Sequence, residues 1–460
     1  MNGRRRFRLR SRLTPPRLFV GSFLLLILIG TLGLKLLPGV STAEPLTWLD
    51  AFFTITSAVC VTGLTSVDTA TAFTFVGQLW ILLFIQLGGL GIITFTTLII
   101  LALGRRLSLH HETISSNAAE VAPHVDVREL ARDVVKITFL VEGVGALLLF
   151  VLWLPNFPWH QALWHGIFHS ISAFCNAGFS TFSDNLIGAQ LRPDVLAVIG
   201  GLIILGGLGF LALEEVKLLM RARRRKQRFR MSLHSRIVLT TTVTLIVVGW
   251  LFYTLFEWEG ALAHLTIWEK LSNTLFMSIT PRTAGFNTID YAKAADSTNF
   301  LTILLMFVGG SPGSTAGGIK TTTMALIALA ALSRFRGSEV VNVAGRSIPS
   351  QTVQRAIGLA VVAFAIITAS VFVYTASEMP GRSQTGGYFL RYMFEAVSAF
   401  NTVGLSMGVT PTLTVLGKIV TIMLMFVGRV GPLTVASALS NGSSVSSDRF
   451  RYSYENVVVE

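Results

Sequence analysis

The sequence predicts an all-α membrane protein built from four copies of one unit. Three observations predict it. Of 460 residues, 52% are hydrophobic and only 13% are charged, where a soluble domain carries roughly 25% charge. Apolar runs long enough to cross a bilayer recur along the whole chain. One short pattern, x-x-(Thr/Ala/Val)-Gly-(Leu/Phe), occurs at near-equal intervals: Cys60-Val61-Thr62-Gly63-Leu64, Cys175-Asn176-Ala177-Gly178-Phe179, Arg282-Thr283-Ala284-Gly285-Phe286 and Asn401-Thr402-Val403-Gly404-Leu405.

The spanning segments are taken first. The runs 18–37, 76–103, 134–154, 195–220, 237–257, 299–331, 355–377 and 415–438 are each long enough to span. They fall in pairs, and between the members of each pair lies a shorter apolar stretch. These stretches are Trp48–Val59, Trp164–Phe174, Trp268–Thr280 and Phe389–Phe400, each followed by one copy of the glycine pattern. At about 1.5 Å per residue such a helix falls well short of the ~30 Å hydrocarbon core. A half-length helix in a membrane must be re-entrant and covered by protein. The unit is therefore helix, pore helix, filter strand, helix, repeated four times to form a single-chain pseudo-fourfold, channel-like pore.

Charge sets the orientation. Seven arginines lie in residues 1–17. The second, fourth and sixth connections carry Arg105, Arg106, Arg128 and Arg132; Arg221, Arg223, Arg224, Arg225, Lys226, Arg228 and Arg230; and Arg334, Arg336, Arg346 and Arg355. The other side is sparse in positive charge, so both termini and these connections are expected in the cytoplasm. The net charge of +13 then reflects membrane orientation rather than nucleic-acid binding. The chain divides into a basic segment 1–17, repeats at 18–104, 105–220, 221–333 and 334–440 with their leading connections, and a tail 441–460. All four repeats share one orientation, unlike inverted-repeat carriers.

The glycine strands carry the chemistry. A dehydrated cation needs oxygen ligands in place of water, and backbone carbonyls of an extended strand supply them. Glycine permits the backbone angles that aim successive carbonyls inward. Thr402-Val403-Gly404-Leu405 is close to the Thr-Val-Gly-Tyr core of a potassium-channel filter. One such strand would be a weak signal; four, each after a half-length helix, are not. Pore-helix C-termini aimed at the pore would favour a cation. Asp68, Asp184 and Asp290 follow three of the strands and read either as outer-mouth acids that concentrate cations or as solvated loop acids. The fourth repeat has Val409 near that place.

The second helix of each repeat is expected to be interrupted at matching places. Gln86-Leu87-Gly88-Gly89-Leu90-Gly91 and Gly206-Gly207-Leu208-Gly209 read otherwise as close helix packing. The third stretch, Gly309-Gly310-Ser311-Pro312-Gly313-Ser314-Thr315-Ala316-Gly317-Gly318, cannot be a regular helix. Irregular backbone at that depth must be buried or line a cavity, so it is expected below the filter as an intramembrane gate. Arg429, in Gly428-Arg429-Val430-Gly431-Pro432, lies inside a span. It reads as a clamp on loop carbonyls or as a charge that blocks the pore. Lys320 falls at the same cavity or at the cytoplasmic edge.

Other polar residues carry less. His165 and His169, four apart on the second pore helix, have a zinc-compatible spacing but no third ligand, and packing is the better reading. His110-His111-Glu112 lies in a basic connection and reads as solvated. Glu142 is expected to meet a helix end or a cytoplasmic arginine. Cys60 and Cys175 read as buried thiols. No nucleophile–base constellation, Walker loop or dinucleotide fingerprint occurs, which argues against an enzyme.

The four pore repeats, the broken third-repeat helix and Arg429 together resemble the Trk/Ktr/HKT superfamily of potassium transporters, over about residues 18–460. Eight spans without an added N-terminal pair, and the tail Arg451-Tyr452-Ser453-Tyr454, are similar to the bacterial Ktr membrane subunit. The resemblance implies potassium uptake, a homodimer with one pore per protomer, and a cytoplasmic KtrA-like ring of nucleotide-binding RCK-type subunits. It implies K+ as the transported ion and sodium dependence in many relatives, with no covalent cofactor. In relatives a serine at the first filter glycine goes with sodium selectivity; Gly63 here favours potassium. The alternatives are a sodium-conducting or weakly selective channel of the same fold and a coupled alternating-access carrier.

Overall fold

A computed structural model describes residues 15–42, 46–91, 127–227, 229–338, 340–378 and 387–439. His110, His111, Glu112 and the C-terminal tail lie outside the described residues, as does part of the expected span 76–103.

Each repeat opens on a long straight helix: α1 Pro15–Leu36, α4 Val127–Trp153, α8 Leu233–Glu257 and α12 Ser350–Glu378. All four are apolar and long enough to cross a membrane. Their outward faces carry Leu24, Leu25 and Leu28 on α1 or Phe364 and Phe372 on α12, exposed as a lipid-facing surface requires. Their inward faces pack Phe23 and Ile27, or Ile367 and Tyr374, into the common core.

A short second helix follows in each repeat: α2 Trp48–Val59, α5 Trp159–Phe174, α9 Ile267–Ile279 and α13 Tyr388–Phe400. Their starts follow from local chemistry. Thr47 caps α2 by accepting from Asp50 N. Thr266 and Glu269 form a capping box on α9. Gly387, in a left-handed conformation at φ 109°, turns the chain into α13. The second of these helices begins five residues earlier than the apolar run suggests, because Pro158 fixes its entry at Trp159.

The closing helices differ from the single spans that hydropathy suggests. The first, α3 Phe75–Gly91, is apolar and unbroken over the described residues. The second is two helices, α6 Pro193–Leu208 and α7 Phe210–Arg224, bent by 105°. The third is α10 Asp296–Met306, an irregular stretch, and α11 Thr321–Phe335. The fourth is α14 Val415–Val430 and α15 Pro432–Leu439, bent by 95°. Gly209 and Gly431 sit at the two bends with φ of 83° and 92°, values that L side chains avoid. Hydropathy does not register such a bend, since it sums residues along the chain without regard to direction. A two-stranded antiparallel hairpin, β1 Val341–Val343 and β2 Arg346–Ile348, lies between α11 and α12.

Interactions between repeats close the ring. Lys418 Nζ of α14 pairs with Asp50 Oδ1 of α2 at 2.7 Å, joining the fourth repeat to the first. Trp164 Nε1 donates to Gln78 Oε1 at 2.8 Å, joining the second to the first. Within repeats three and four, a glutamate at the end of the long helix caps the closing helix. Glu257 accepts from Ala295 N at 3.2 Å, and Glu378 from Thr414 N at 3.0 Å. A helix N-terminus suits a carboxylate because its free N–H groups point at it.

Candidate ion filter and the loop beneath it

The short helices end where the glycine strands begin, and the last turns hand their carbonyls to the strands. Thr62 N donates to Ser57 O at 2.8 Å, Ala177 N to Ser172 O at 2.7 Å, Ala284 N to Thr280 O at 3.0 Å and Val403 N to Ser398 O at 2.8 Å. The residue two before each glycine is left-handed: Val61 at φ 54°, Asn176 at 59°, Thr283 at 69° and Thr402 at 50°. The glycines follow at φ 94°, 69°, 76° and 95°. Alternating backbone hand sends successive N–H groups to one side and carbonyls to the other. The N–H groups of Thr62, Ala177, Ala284 and Val403 go to the pore helices behind, and Asn185 Nδ2 donates to Gly178 O at 3.3 Å. A β-branched residue such as Val61 or Thr283 at positive φ is strained, and such strain gathers at functional sites.

The four strands meet in order around one axis. A Cβ built on Gly63 would lie 2.5 Å from Ala177 O, one on Gly178 2.9 Å from Ala284 O, and one on Gly285 2.5 Å from Val403 O. One on Gly404 would strike Thr62 O, which closes the ring. The four glycines and the carbonyls of Thr62, Ala177, Ala284 and Val403 therefore meet in one ring.

Behind the ring stands a set of hydroxyls that sequence reading missed. Ser57 Oγ accepts from Gly63 N at 3.0 Å, and Ser398 Oγ from Gly404 N at 3.1 Å. Ser172 Oγ instead donates to Phe179 O at 2.7 Å, and Thr280 Oγ1 to Phe286 O at 2.6 Å. Repeats one and four thus have one kind of strand, with Leu after the glycine, and repeats two and three another, with Phe. The serine six residues before Gly63, Gly178 and Gly404 was a usable signal.

Outside the ring is a cavity of ≈ 270 Å³, lined by Gly63, Gly178 and Gly404 together with Asp68, Asp184 and Asp290. At roughly 30 Å³ per water this holds a hydrated cation. The three acids also cap their own loops: Asp68 accepts from Ala70 N at 2.9 Å, Asp184 from Gly188 N at 2.8 Å and Asp290 from Ala292 N at 3.0 Å.

Next to the ring, Gly309–Gly318 runs as irregular backbone. Ser311 N donates to Gly207 O at 3.0 Å, Phe210 N to Gly313 O at 3.0 Å and Gly318 N to Gly428 O at 3.3 Å. Thr315 Oγ1 donates to Phe174 O at 3.1 Å, and Ile319 N to Asn401 Oδ1 at 3.2 Å. Gly317 lies against the Thr402 side chain and Gly309 against that of Thr283. Arg429, 2% exposed, donates from Nη1 to Thr315 O and from Nη2 to Gly88 O at 3.1 Å. Lys320 Nζ donates to Ala316 O at 2.6 Å. One guanidinium thereby ties the loop to the first and fourth closing helices. Gly88, Gly206 and Gly428 press against the last carbonyls of three pore helices, Val59, Phe174 and Phe400. The packing expected of the first two glycine stretches is present at Gly88 and Gly206, while Gly209 breaks its helix instead.

One minor expectation changes. Glu142 meets neither a helix end nor an arginine: Gln86 Nε2 donates to its Oε2 at 3.1 Å, and Cys175 Sγ lies 3.8 Å from its Oε1. His165 Nδ1 faces Thr181 Oγ1 at 2.6 Å, and His169 Nε2 faces Ser180 Oγ at 2.9 Å, which fits packing rather than a metal. Cys60 and Cys175 are free and buried.

The structure is a single-chain ring of strands in an all-α membrane fold. The sequence matches the model of the TrkH family, described as cation transport protein, over residues 20–447. The chain is 40% identical to the Ktr system potassium uptake protein B of Bacillus subtilis, over 92% of each protein. It is 36% identical to the potassium/sodium uptake protein NtpJ of Enterococcus hirae, over 98% of each. The fold is similar to the crystal structure of the potassium transporter TrkH from Vibrio parahaemolyticus, at TM-score 0.69 and 19% identity, covering 92% of this chain and 85% of that one. The chain belongs to the TrkH family of cation transport proteins: it is a multi-pass membrane transporter and not an enzyme.

Proposed function

We propose that this protein takes up potassium through the ring formed by Gly63, Gly178, Gly285 and Gly404 and their preceding carbonyls. The observation that carries the reading is the fourfold alternation of backbone hand, which leaves a closed set of carbonyls on the axis. The names of the two relatives, potassium uptake and potassium/sodium uptake, support the same ion class. Asp68, Asp184 and Asp290 gather cations outside, and the pore-helix C-termini favour them within.

Below the filter, Gly309–Gly318 is the gate and Arg429 its latch. Charge-assisted bonds to Thr315 O and Gly88 O hold the loop across the path. The protein works as a homodimer, one pore per protomer, in the cell membrane with both termini cytoplasmic. A KtrA-like cytoplasmic ring of nucleotide-binding RCK-type subunits docks on residues 105–132 and 221–236 and the C-terminal tail. The four repeats run through residues 18–104, 105–220, 221–333 and 334–440. Na+ acts as an activator and K+ as cargo.

A second reading, a weakly selective potassium/sodium pathway, draws on the two kinds of filter strand and on the name of the Enterococcus relative. Tracer flux into liposomes decides between them. Potassium flux that exceeds sodium flux by tenfold or more, and falls toward it in Gly63→Ser, supports the first; equal fluxes in the parent protein support the second.

A further inference from the structure

The outer rim of the ring is held from behind in two repeats and not in the other two. Nine residues before each filter glycine stand Thr54, His169, Phe276 and Glu395. Two residues after it stand Thr65, Ser180, Asn287 and Ser406. In repeats two and four these positions are bonded. His169 Nε2 lies 2.9 Å from Ser180 Oγ. Glu395 Oε2 accepts from Ser406 Oγ at 3.0 Å, and its Oε1 accepts from Thr410 Oγ1. In repeat one the Thr54 hydroxyl has no partner, and in repeat three the position is the apolar Phe276. Since the strands run one to four around the axis, the two bonded repeats are diagonal.

The hydroxyls so held face the place where ions arrive. Ser180, Ser406 and Thr410 line the outer cavity with Asp68, Asp184 and Asp290. The fourth repeat brings no acid of its own to that cavity, since Val409 is buried. Glu395 is 0% exposed, and among the described residues its hydrogen bonds go to hydroxyls, with no ion pair. A buried carboxylate without a cationic partner is costly. A cation in the cavity beside it reduces that cost.

The bonding also fixes which way the hydroxyls turn. Ser406 and Thr410 donate to the two oxygens of Glu395, so their O–H bonds point back at it. His169 Nδ1 faces the carbonyl of His165 at 2.9 Å, which places the ring proton there. Its Nε2 is then an acceptor for the Ser180 hydroxyl, whose oxygen also lies 3.2 Å from Asn185 O and accepts from Phe182 N at 3.0 Å. Ser406 Oγ likewise accepts from Gly408 N at 3.0 Å, so each of these serines keeps one lone pair for a ligand in the cavity.

We infer that Glu395 and His169 are diagonal positioning residues of the outer rim: they turn Ser406, Thr410 and Ser180 to present lone pairs to a cation before it enters the filter. Glu395 also supplies, in the fourth repeat, the negative charge that an aspartate supplies in each of the others. The inference rests on the reading of the ring as an ion filter.

The test is concentration-dependent potassium flux in liposomes holding the full-length protein. Glu395→Gln keeps the shape and removes the charge; it is expected to raise the half-saturating potassium concentration about tenfold, with maximal flux within about twofold of the parent. His169→Phe is expected to raise it less, by about threefold, since no charge is lost. A purely structural role would lower maximal flux and protein yield together. If Glu395→Gln does not accumulate in membranes, the double variant Ser406→Ala, Thr410→Val reads the same quantity. Unchanged half-saturation in these variants, while Gly63→Ser still lowers the potassium-to-sodium ratio, overturns the rim inference alone. If Gly63→Ser is also silent, the filter reading fails and the inference with it.

Discussion

Above the filter glycines the four repeats are near copies, each a short helix, a left-handed residue, a glycine and a loop that lines one cavity. Below them the closing helices diverge: one unbroken over the described residues, one bent by 105°, one opened into a loop and one bent by 95°. The proposed function accounts for the difference. An ion on the axis would lose its water on four sides, so each repeat would have to offer similar oxygens at similar distances, whereas an obstruction needs only one element. Repeat three carries the loop; Gly207 O and Gly428 O accept from it, and Gly88 O accepts from Arg429, which also holds Thr315 O.

The largest effect is expected from breaking the asymmetric half. Deleting Gly313–Ala316 shortens the loop and removes the Thr315 seat of Arg429. Potassium flux in liposomes without any regulatory ring should rise by about tenfold or more, with the potassium-to-sodium ratio kept, because the filter lies above. Arg429→Ala should act in the same direction and less strongly, since the backbone seats at Gly207 and Gly428 persist. A variant that folds and conducts no faster than the parent would make the loop structural and put the gate elsewhere.

Breaking the symmetric half should alter choice rather than rate. Gly63→Ser places a Cβ against Ala177 O in a conformation that side chains avoid. The potassium-to-sodium flux ratio should fall about tenfold, equivalent to about 1.4 kcal/mol. If serine at each of the four filter glycines leaves the ratio unchanged, the ring does not select ions.

A third test sharpens the boundary between the halves. A Cβ on Gly428 meets the backbone carbonyl of Phe400, whereas one on Gly201 meets nothing within 4 Å. Gly428→Ala should lower stability by about 1–3 kcal/mol through overpacking, while Gly201→Ala is neutral or slightly stabilising. Thermal melting in detergent compares the two, and equal midpoints would mean that the close approach at Gly428 is not needed.

The smallest effect is expected at the seam between repeats four and one. Lys418 and Asp50 have side chains 14% and 13% exposed, so their pair is only partly screened. Lys418→Met leaves Asp50 without its cation and should cost about 1–2 kcal/mol, with potassium flux unchanged. A melting midpoint equal to the parent's would show that packing alone closes the ring.

Much of the outer half could be read from residues in order, because its determinants are local. A half-length apolar run, a glycine and a following hydrophobic residue recur four times, and each copy strengthens the others. The serines at residues 57, 172 and 398 recur with them and were legible once the repeats were aligned. The left-handed residues were not, since Val61, Asn176, Thr283 and Thr402 share no chemistry that announces positive φ. That conformation is imposed by the pore helix behind and the next strand beside it.

What the sequence determined by itself was the repeat, the strand glycines and the one stretch too rich in glycine and proline to be helical. These depend on length, composition and backbone freedom, which are properties of neighbours along the chain. The tertiary structure alone decided which strand faces which, that Arg429 reaches Thr315 and Gly88 across more than one repeat, that two closing helices turn sharply, and that Glu395 stands behind Ser406 and Thr410. Each of these depends on residues brought together from distant repeats. In lipid, backbone and charge must be satisfied within the protein, so where each polar group ends is set by the closed ring as a whole.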